Sequence, residues 1–237
     1  MNIQTDLLAM LKQGTTLNTS GTTGPSKAIF QSPKKLKAAN EVAVDSQKLT
    51  SSSRVYTVCK LKHAGGLLAQ TLPALSIGAE VVIEDFSAYR FVKEVNNYTH
   101  THITPMHAKA IMGTKGWKDI DLTGLRVTCG SDPVAWDIIE PFVIRGAVFI
   151  ANWGMTECGP CAINVTFRNM DDVAYYQESH MKGLTIMGDN VYCDTRLDGD
   201  QLYVKGDICV GDEYIHTGDR VKLNSFGHFY YIGRNDA

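Results

Sequence analysis

The chain has 237 residues and a formal net charge of −2, enough length to bury a substantial core and no electrostatic reason to expect a nucleic-acid partner. Its 44% hydrophobic and 20% charged residues are those of a globular protein, and no apolar run is long enough to span a bilayer. The start "MNIQTDLLAMLKQG" lacks a secretory pattern, and the six scattered cysteines read as reduced thiols, so the expected location is cytoplasmic.

In chain order, Ile3, Leu7, Leu8 and Leu11 share one stripe of a short helix that stops at Gly14. A loop rich in glycine and hydroxyl residues follows within "LNTSGTTGPSKAIFQ", 17–31. Ser32 and Pro33 then start a helix that carries Leu36, Ala39 and Ala43 at helical spacing. Apolar runs at 54–59, 79–83, 101–105, 125–129 and 147–153 read as strands, with helix-like segments between them. Such alternation predicts an α/β fold, a mostly parallel sheet with flanking helices, whose ligands bind beyond the carboxyl ends of the strands. After about residue 162 the texture becomes short β-like runs separated by turn signals, beginning with "AINVTF". The expected division is an α/β nucleotide- and acyl-binding core over 1–162 and a small antiparallel sheet or distorted barrel over 163–232. Residues 233–237 then begin a hinge.

The loop at 19–27 is not a Walker loop. Counted from Gly21, Ser26 stands where the second glycine is needed and Ala28 where the magnesium-binding hydroxyl is needed. What remains is a set of amides and hydroxyls able to surround phosphate oxygens, with Lys27 as a counter-charge.

"TSGTTGPSK" (19–27) resembles the phosphate loop of the adenylate-forming superfamily, which includes acyl-CoA synthetases, firefly luciferase and the adenylation domains of peptide synthetases. Three further stretches follow in the family's order: "NWGMTECGP" (152–160), "YIHTGDRV" (214–221) and "GRNDA" (233–237). The resemblance implies that Thr19, Ser20, Gly21, Thr22, Thr23, Gly24 and Lys27 hold the β- and γ-phosphates of ATP. It implies that Trp153, with Gly154 and Met155, packs on adenine, that Thr156 holds the α-phosphate and that Glu157 binds Mg²⁺. A π-face, a hydroxyl and a carboxylate after a strand suit a base, an anion and a hard cation on chemical grounds alone. By the same resemblance Asp219 receives the ribose hydroxyls, Arg234 contacts the nucleotide and Asp236 is the hinge pivot. Gly130 and Ser131, in "VTCGSDPV", would meet adenine and acyl group. His63, in "KLKHAGGLL", would line the acyl pocket, although it is equally well a histidine on a strand-to-helix turn.

The activity so implied is ATP-dependent activation of a carboxylic acid as acyl-adenylate, with CoA or a carrier protein as acyl acceptor. The family's small C-terminal domain, which carries a catalytic lysine, would follow the hinge. Three expectations therefore stand together: an acid-activating ligase core, alone or with a separate chain supplying that domain; a non-catalytic nucleotide or acyl-adenylate binding module; and a piece of a longer synthetase. Two other patterns point elsewhere. "CGPC" (158–161) has redox spacing, but a strand-like run follows it where a redox motif needs a helix. His100 and His102 share one face of a strand and could hold a metal, yet no third ligand lies nearby in sequence, and a strand edge is the expectation.

Overall fold

The computed structural model describes residues 3–19 and 27–235. Helix α1 (Ile3–Gln13) buries Leu7 but leaves Ile3 and Leu8 exposed, so the stripe is narrower than its sequence suggests. Strands β1 (Thr15–Asn18) and β2 (Ala28–Gln31) form an antiparallel hairpin around the 20–26 loop. Helix α2 (Pro33–Gln47) starts as expected: the Ser32 hydroxyl accepts from the Lys35 amide, and Pro33 occupies the first turn. Its Leu36, Ala39 and Ala43 are buried.

The main sheet has seven strands in the order β10-β8-β7-β6-β5-β3-β4. Strands β3 (Arg54–Thr57), β4 (Glu80–Ile83), β5 (His100–Ile103), β6 (Arg126–Cys129) and β7 (Val148–Met155) run parallel. Helices α3 (64–76), α4 (Ala88–Glu94), α5 (Pro105–Met112) and α6 (Trp136–Ile144) link them, as the alternating pattern requires. Within α3 the stretch Leu67–Thr71 is wound as a π-helix just before Pro73, whose ring nitrogen cannot donate to the preceding turn.

Two features depart from the sequence reading. Strand β8 (Gly159–Phe167), which contains "AINVTF", belongs to the main sheet as the antiparallel partner of β7 and not to the small sheet. A three-residue connection turns the chain straight back, so no crossover helix separates them. Residues Met170–Glu178, unassigned from sequence, form helix α7, started by the Asn169 side chain accepting from the Asp172 amide.

The small sheet is open and antiparallel, in the order β11-β12-β13-β14-β9. Its strands are β9 (Thr185–Gly188), β11 (Asp194–Asp198), β12 (Gln201–Lys205), β13 (Ile215–Leu223) and β14 (Phe229–Arg234); the two-residue β10 (Asn190–Val191) pairs with β8. Apolar side chains cover both faces of the main sheet. Phe91, Ile111, Phe142 and Phe149 lie in one cluster, and Leu7, Leu36, Leu68 and Leu72 in another. A third cluster, with Ile163 from β8 and Met187, Leu202, Val204 and Val221 from the small sheet, joins the two sheets. That junction brings the end of β7 against the middle of β13.

Candidate functional site

Strand β7 ends in a turn at 156–158 before β8 begins. The Cys158 amide donates to the Met155 carbonyl at 3.3 Å, and Gly159 takes the left-handed conformation at φ +78°, which completes a three-residue hairpin. Gly154 is required by crowding: a Cβ there would lie 2.3 Å from the Gly159 carbonyl oxygen. The turn is held from outside as well. Val210 N–H donates to the Glu157 carbonyl at 2.9 Å, while Lys35 Nζ (2.9 Å) and Gln31 Nε2 (3.2 Å) both donate to the Thr156 carbonyl. Thr156 and Glu157 therefore project from a braced turn at the carboxyl end of a parallel strand.

Asp219 reaches this place from the small sheet. Along β13, burial alternates through Thr217, Asp219 and Val221, so the carboxylate occupies an inward position and is only 5% exposed. Trp153 Nε1 donates to its Oδ2 at 2.9 Å. Arg234, opposite Asp219 in the register of β13 and β14, places Nη1 3.4 Å from Oδ1 and donates from Nη2 to the Thr217 carbonyl at 3.3 Å. Asp219 Oδ1 and Arg234 Nε make no hydrogen bond despite their burial. Burial pushes the Asp219 carboxyl above its usual range, against opposing contributions from Arg234, Trp153 and His216. A buried acceptor and a buried donor without hydrogen-bond partners, beside an oriented indole, suit a ligand carrying hydroxyl groups and a flat ring.

Strand β6 contributes Gly130 and Ser131. A Cβ at Gly130 would fall 2.5 Å from the Asn152 carbonyl oxygen, so glycine permits β6 and β7 to approach at this end. Ser131 follows with φ +80°, a costly conformation for a residue other than glycine. Gly65 lies against the Ser131 hydroxyl and the His102 ring. His63 itself is exposed at the N-cap of α3, and its side chain makes no capping bond. Its imidazole is held below the usual range, chiefly by burial and then by Lys62 and Lys60.

At the loop end of the β1–β2 hairpin, Thr19 N–H donates to the Lys27 carbonyl at 2.9 Å, and Lys27 N–H donates to the Thr19 hydroxyl at 3.0 Å. Ser20, Gly21, Thr22, Thr23 and Gly24 lie outside the described residues, as does Asp236. Sequence reasoning missed Gln31 and Lys35, the two side chains that join this hairpin to the 156–158 turn. "KKLK" looks like a solvated face, and nothing in it marks the second lysine as buried.

The two competing patterns resolve structurally. Cys158 and Cys161 are buried, and burial raises both thiols, Cys161 to about 12; neither is in a disulfide. Cys161 itself lies in β8, which runs on through the segment expected to be a strand. His100 and His102 lie on β5, which is interior to the sheet between β3 and β6, so the expectation of a strand edge was wrong. The apolar flanks of both faces make a central position the better burial. His100 contacts the Gln47 carbonyl at 3.1 Å, and burial lowers both imidazoles to about 4. Among the described residues, no group of three or more metal-ligating side chains exists.

Residues 16–218 match the family of AMP-binding enzymes. The chain belongs to that family. Among curated family relatives it is 36% identical, over 62% of its own length and 30% of the relative's, to an indoleacetate–CoA ligase of Aromatoleum aromaticum. It is 29% identical, over 92% of this chain and 46% of the relative, to an acyl-CoA synthetase of Alternaria alternata. The chain thus spans less than half the length of these AMP-binding relatives. Its fold matches O-succinylbenzoate coenzyme A synthetase of Bacillus subtilis with a TM-score of 0.76 at 18% identity, covering 92% of this chain and 49% of that one. It also matches the inhibitor-bound N-terminal domain of a protein from Mycobacterium tuberculosis with a TM-score of 0.76 at 15% identity, covering 92% of this chain and 60% of that one. Among the described residues, no helix is long and apolar enough to cross a membrane.

Proposed function

We propose that this chain binds MgATP at the junction of its two sheets and activates an aryl-substituted carboxylic acid by adenylation, for transfer to CoA. The observation that carries the reading is the cluster of half-buried Trp153 and Arg234 around buried Asp219, beside the Thr156–Glu157 turn, with Asp219 Oδ1 and Arg234 Nε lacking hydrogen-bond partners. The aryl preference and the CoA acceptor are supported by relatives named as indoleacetate–CoA ligase and feruloyl-CoA synthase.

In this reading Asp219 Oδ1 accepts from the ribose hydroxyls, and Trp153 presents its ring to adenine while its N–H fixes the carboxylate. Gly130 and Ser131 face base and acyl group, and Arg234 contacts the nucleotide. Thr19, Lys27 and the intervening loop hold the β- and γ-phosphates. Glu157 would supply a carboxylate to Mg²⁺, and the ion would neutralise charge on the phosphates. One oxygen of the substrate carboxylate attacks the α-phosphorus, the bond to the bridging oxygen of the β-phosphate breaks, and pyrophosphate leaves. The chain's contribution is alignment and charge stabilisation, with the Thr156 hydroxyl donating to the α-phosphate.

The test is incubation with ATP, Mg²⁺ and a panel of aryl and aliphatic acids, followed by detection of acyl-AMP and pyrophosphate. Acid-dependent appearance of both supports the reading, with aryl acids preferred. ATP binding without either product would leave a nucleotide-binding module in place of a ligase.

A further inference from the structure

Lys35 is the one buried lysine or arginine among the described residues, and its surroundings do not suit a purely structural role. Its side chain leaves the first turn of α2 and is 2% exposed. The ammonium donates to Gln31 Oε1 on β2 and, at 2.9 Å, to the Thr156 carbonyl. Gln31 in turn donates to the same carbonyl at 3.2 Å. These three groups come from the phosphate-loop hairpin, from α2 and from the β7–β8 turn, and they close a triangle of hydrogen bonds across three otherwise separate segments. Withdrawing an ammonium from water is costly, and an apolar side chain would fill the space at less expense. Burial lowers Lys35 to about 8, with Cys158, Cys209 and Glu157 favouring the charged form in that order.

We propose that Lys35 is a positioning residue for the polyphosphate part of the site, locking the phosphate-loop hairpin and the Thr156–Glu157 turn in one relative placement. This rests on the nucleotide reading above. The hairpin carries the groups assigned to the β- and γ-phosphates, and the turn carries those assigned to the α-phosphate. The tie meets the hairpin at Gln31, at its open end opposite Thr15, and so holds β2 against the turn. The nucleoside end, held by Asp219 and Trp153, does not depend on it.

The experiment compares Lys35→Met with the unaltered chain by calorimetric titration of MgATP and of adenosine. The expected result is a loss of about tenfold in MgATP affinity, with adenosine affinity within twofold of the unaltered chain. Equal losses for both ligands would mean a general structural role, and unchanged MgATP affinity would mean no role; either overturns the proposal. If Lys35→Met does not fold, Gln31→Leu decides on the same pair of titrations, since it removes one donor to Thr156 and one acceptor for Lys35. A selective loss for MgATP supports the tie, and the absence of selectivity overturns it. An unaltered chain that binds neither ligand refutes the nucleotide reading itself, a result distinct from any of these.

Discussion

Replacing Asp219 with asparagine separates the nucleotide role proposed for this residue from its place in the fold. The carboxylate is almost fully buried, accepts from Trp153 Nε1 at 2.9 Å, and has Arg234 Nη1 3.4 Å from an oxygen that makes no hydrogen bond. Asparagine keeps an acceptor for the indole but loses the charge and one of the two acceptor oxygens. A hydrogen bond to a charged group contributes about 1.5–3 kcal/mol and a neutral one about 1, so the loss in nucleotide binding should be about 0.5–2 kcal/mol, or roughly 2- to 30-fold. Stability should move the other way or not at all. Burial raises the Asp219 carboxyl, so its folded pKa lies above its unfolded one. The group's contribution to stability is therefore greatest below the ordinary carboxylate range, and it declines as pH rises through the folded pKa. At neutral pH the charged form is disfavoured by the fold, and the neutral amide relieves that cost. Calorimetry with adenosine and MgATP reads the affinity, and urea unfolding at pH 7 reads the stability. An unchanged affinity refutes the reasoning, as does a loss of affinity accompanied by an equal loss of stability.

Gly154→Ala should destabilise the chain by about 1–3 kcal/mol and weaken MgATP binding, because its Cβ would meet backbone on β8 at 2.3 Å; urea unfolding and titration check both. His100 and His102, held near 4 against an ordinary 6.5, should make stability fall as pH is lowered from about 6.5 towards 4. Over that window the unfolded chain binds up to two more protons, a slope of up to about 2.7 kcal/mol per pH unit, and unfolding curves across pH measure it. A flat profile would contradict the buried, neutral assignment. Cys158 and Cys161 should resist alkylation at pH 8 in the folded chain and react on unfolding; mass spectrometry of labelled peptides reads this, and rapid native labelling would contradict their burial.

The parallel sheet was legible because short β-like runs such as 125–129 and 147–153 alternate with helix-like segments along the chain. Strand β8 was not, because sheet membership is a tertiary property. "AINVTF" has the same local texture as the small-sheet strands, and only the short turn after Met155 decides its partner. Helix α7 escaped because Val173 is its one fully buried residue, although Asn169 before Asp171 and Asp172 carries a usable start signal. At the site, Trp153 and Asp219 were singled out by resemblance and stand 2.9 Å apart across 66 residues of sequence. No spacing rule could have paired them. Lys35 was hidden for the opposite reason: a lysine beside other lysines at a helix start is ordinarily solvated, and burial is decided by elements more than a hundred residues away.

Acid activation by adenylation moves an oxygen atom from the acid to the nucleotide, and that transfer can be followed. The chain would be incubated with MgATP, CoA and an aryl acid labelled with ¹⁸O in its carboxylate, and the released AMP examined by mass spectrometry. Attack of the carboxylate on the α-phosphorus predicts one ¹⁸O in the AMP phosphate, formed in step with pyrophosphate. Release of ADP and phosphate, or of AMP carrying oxygen from water alone, would contradict it.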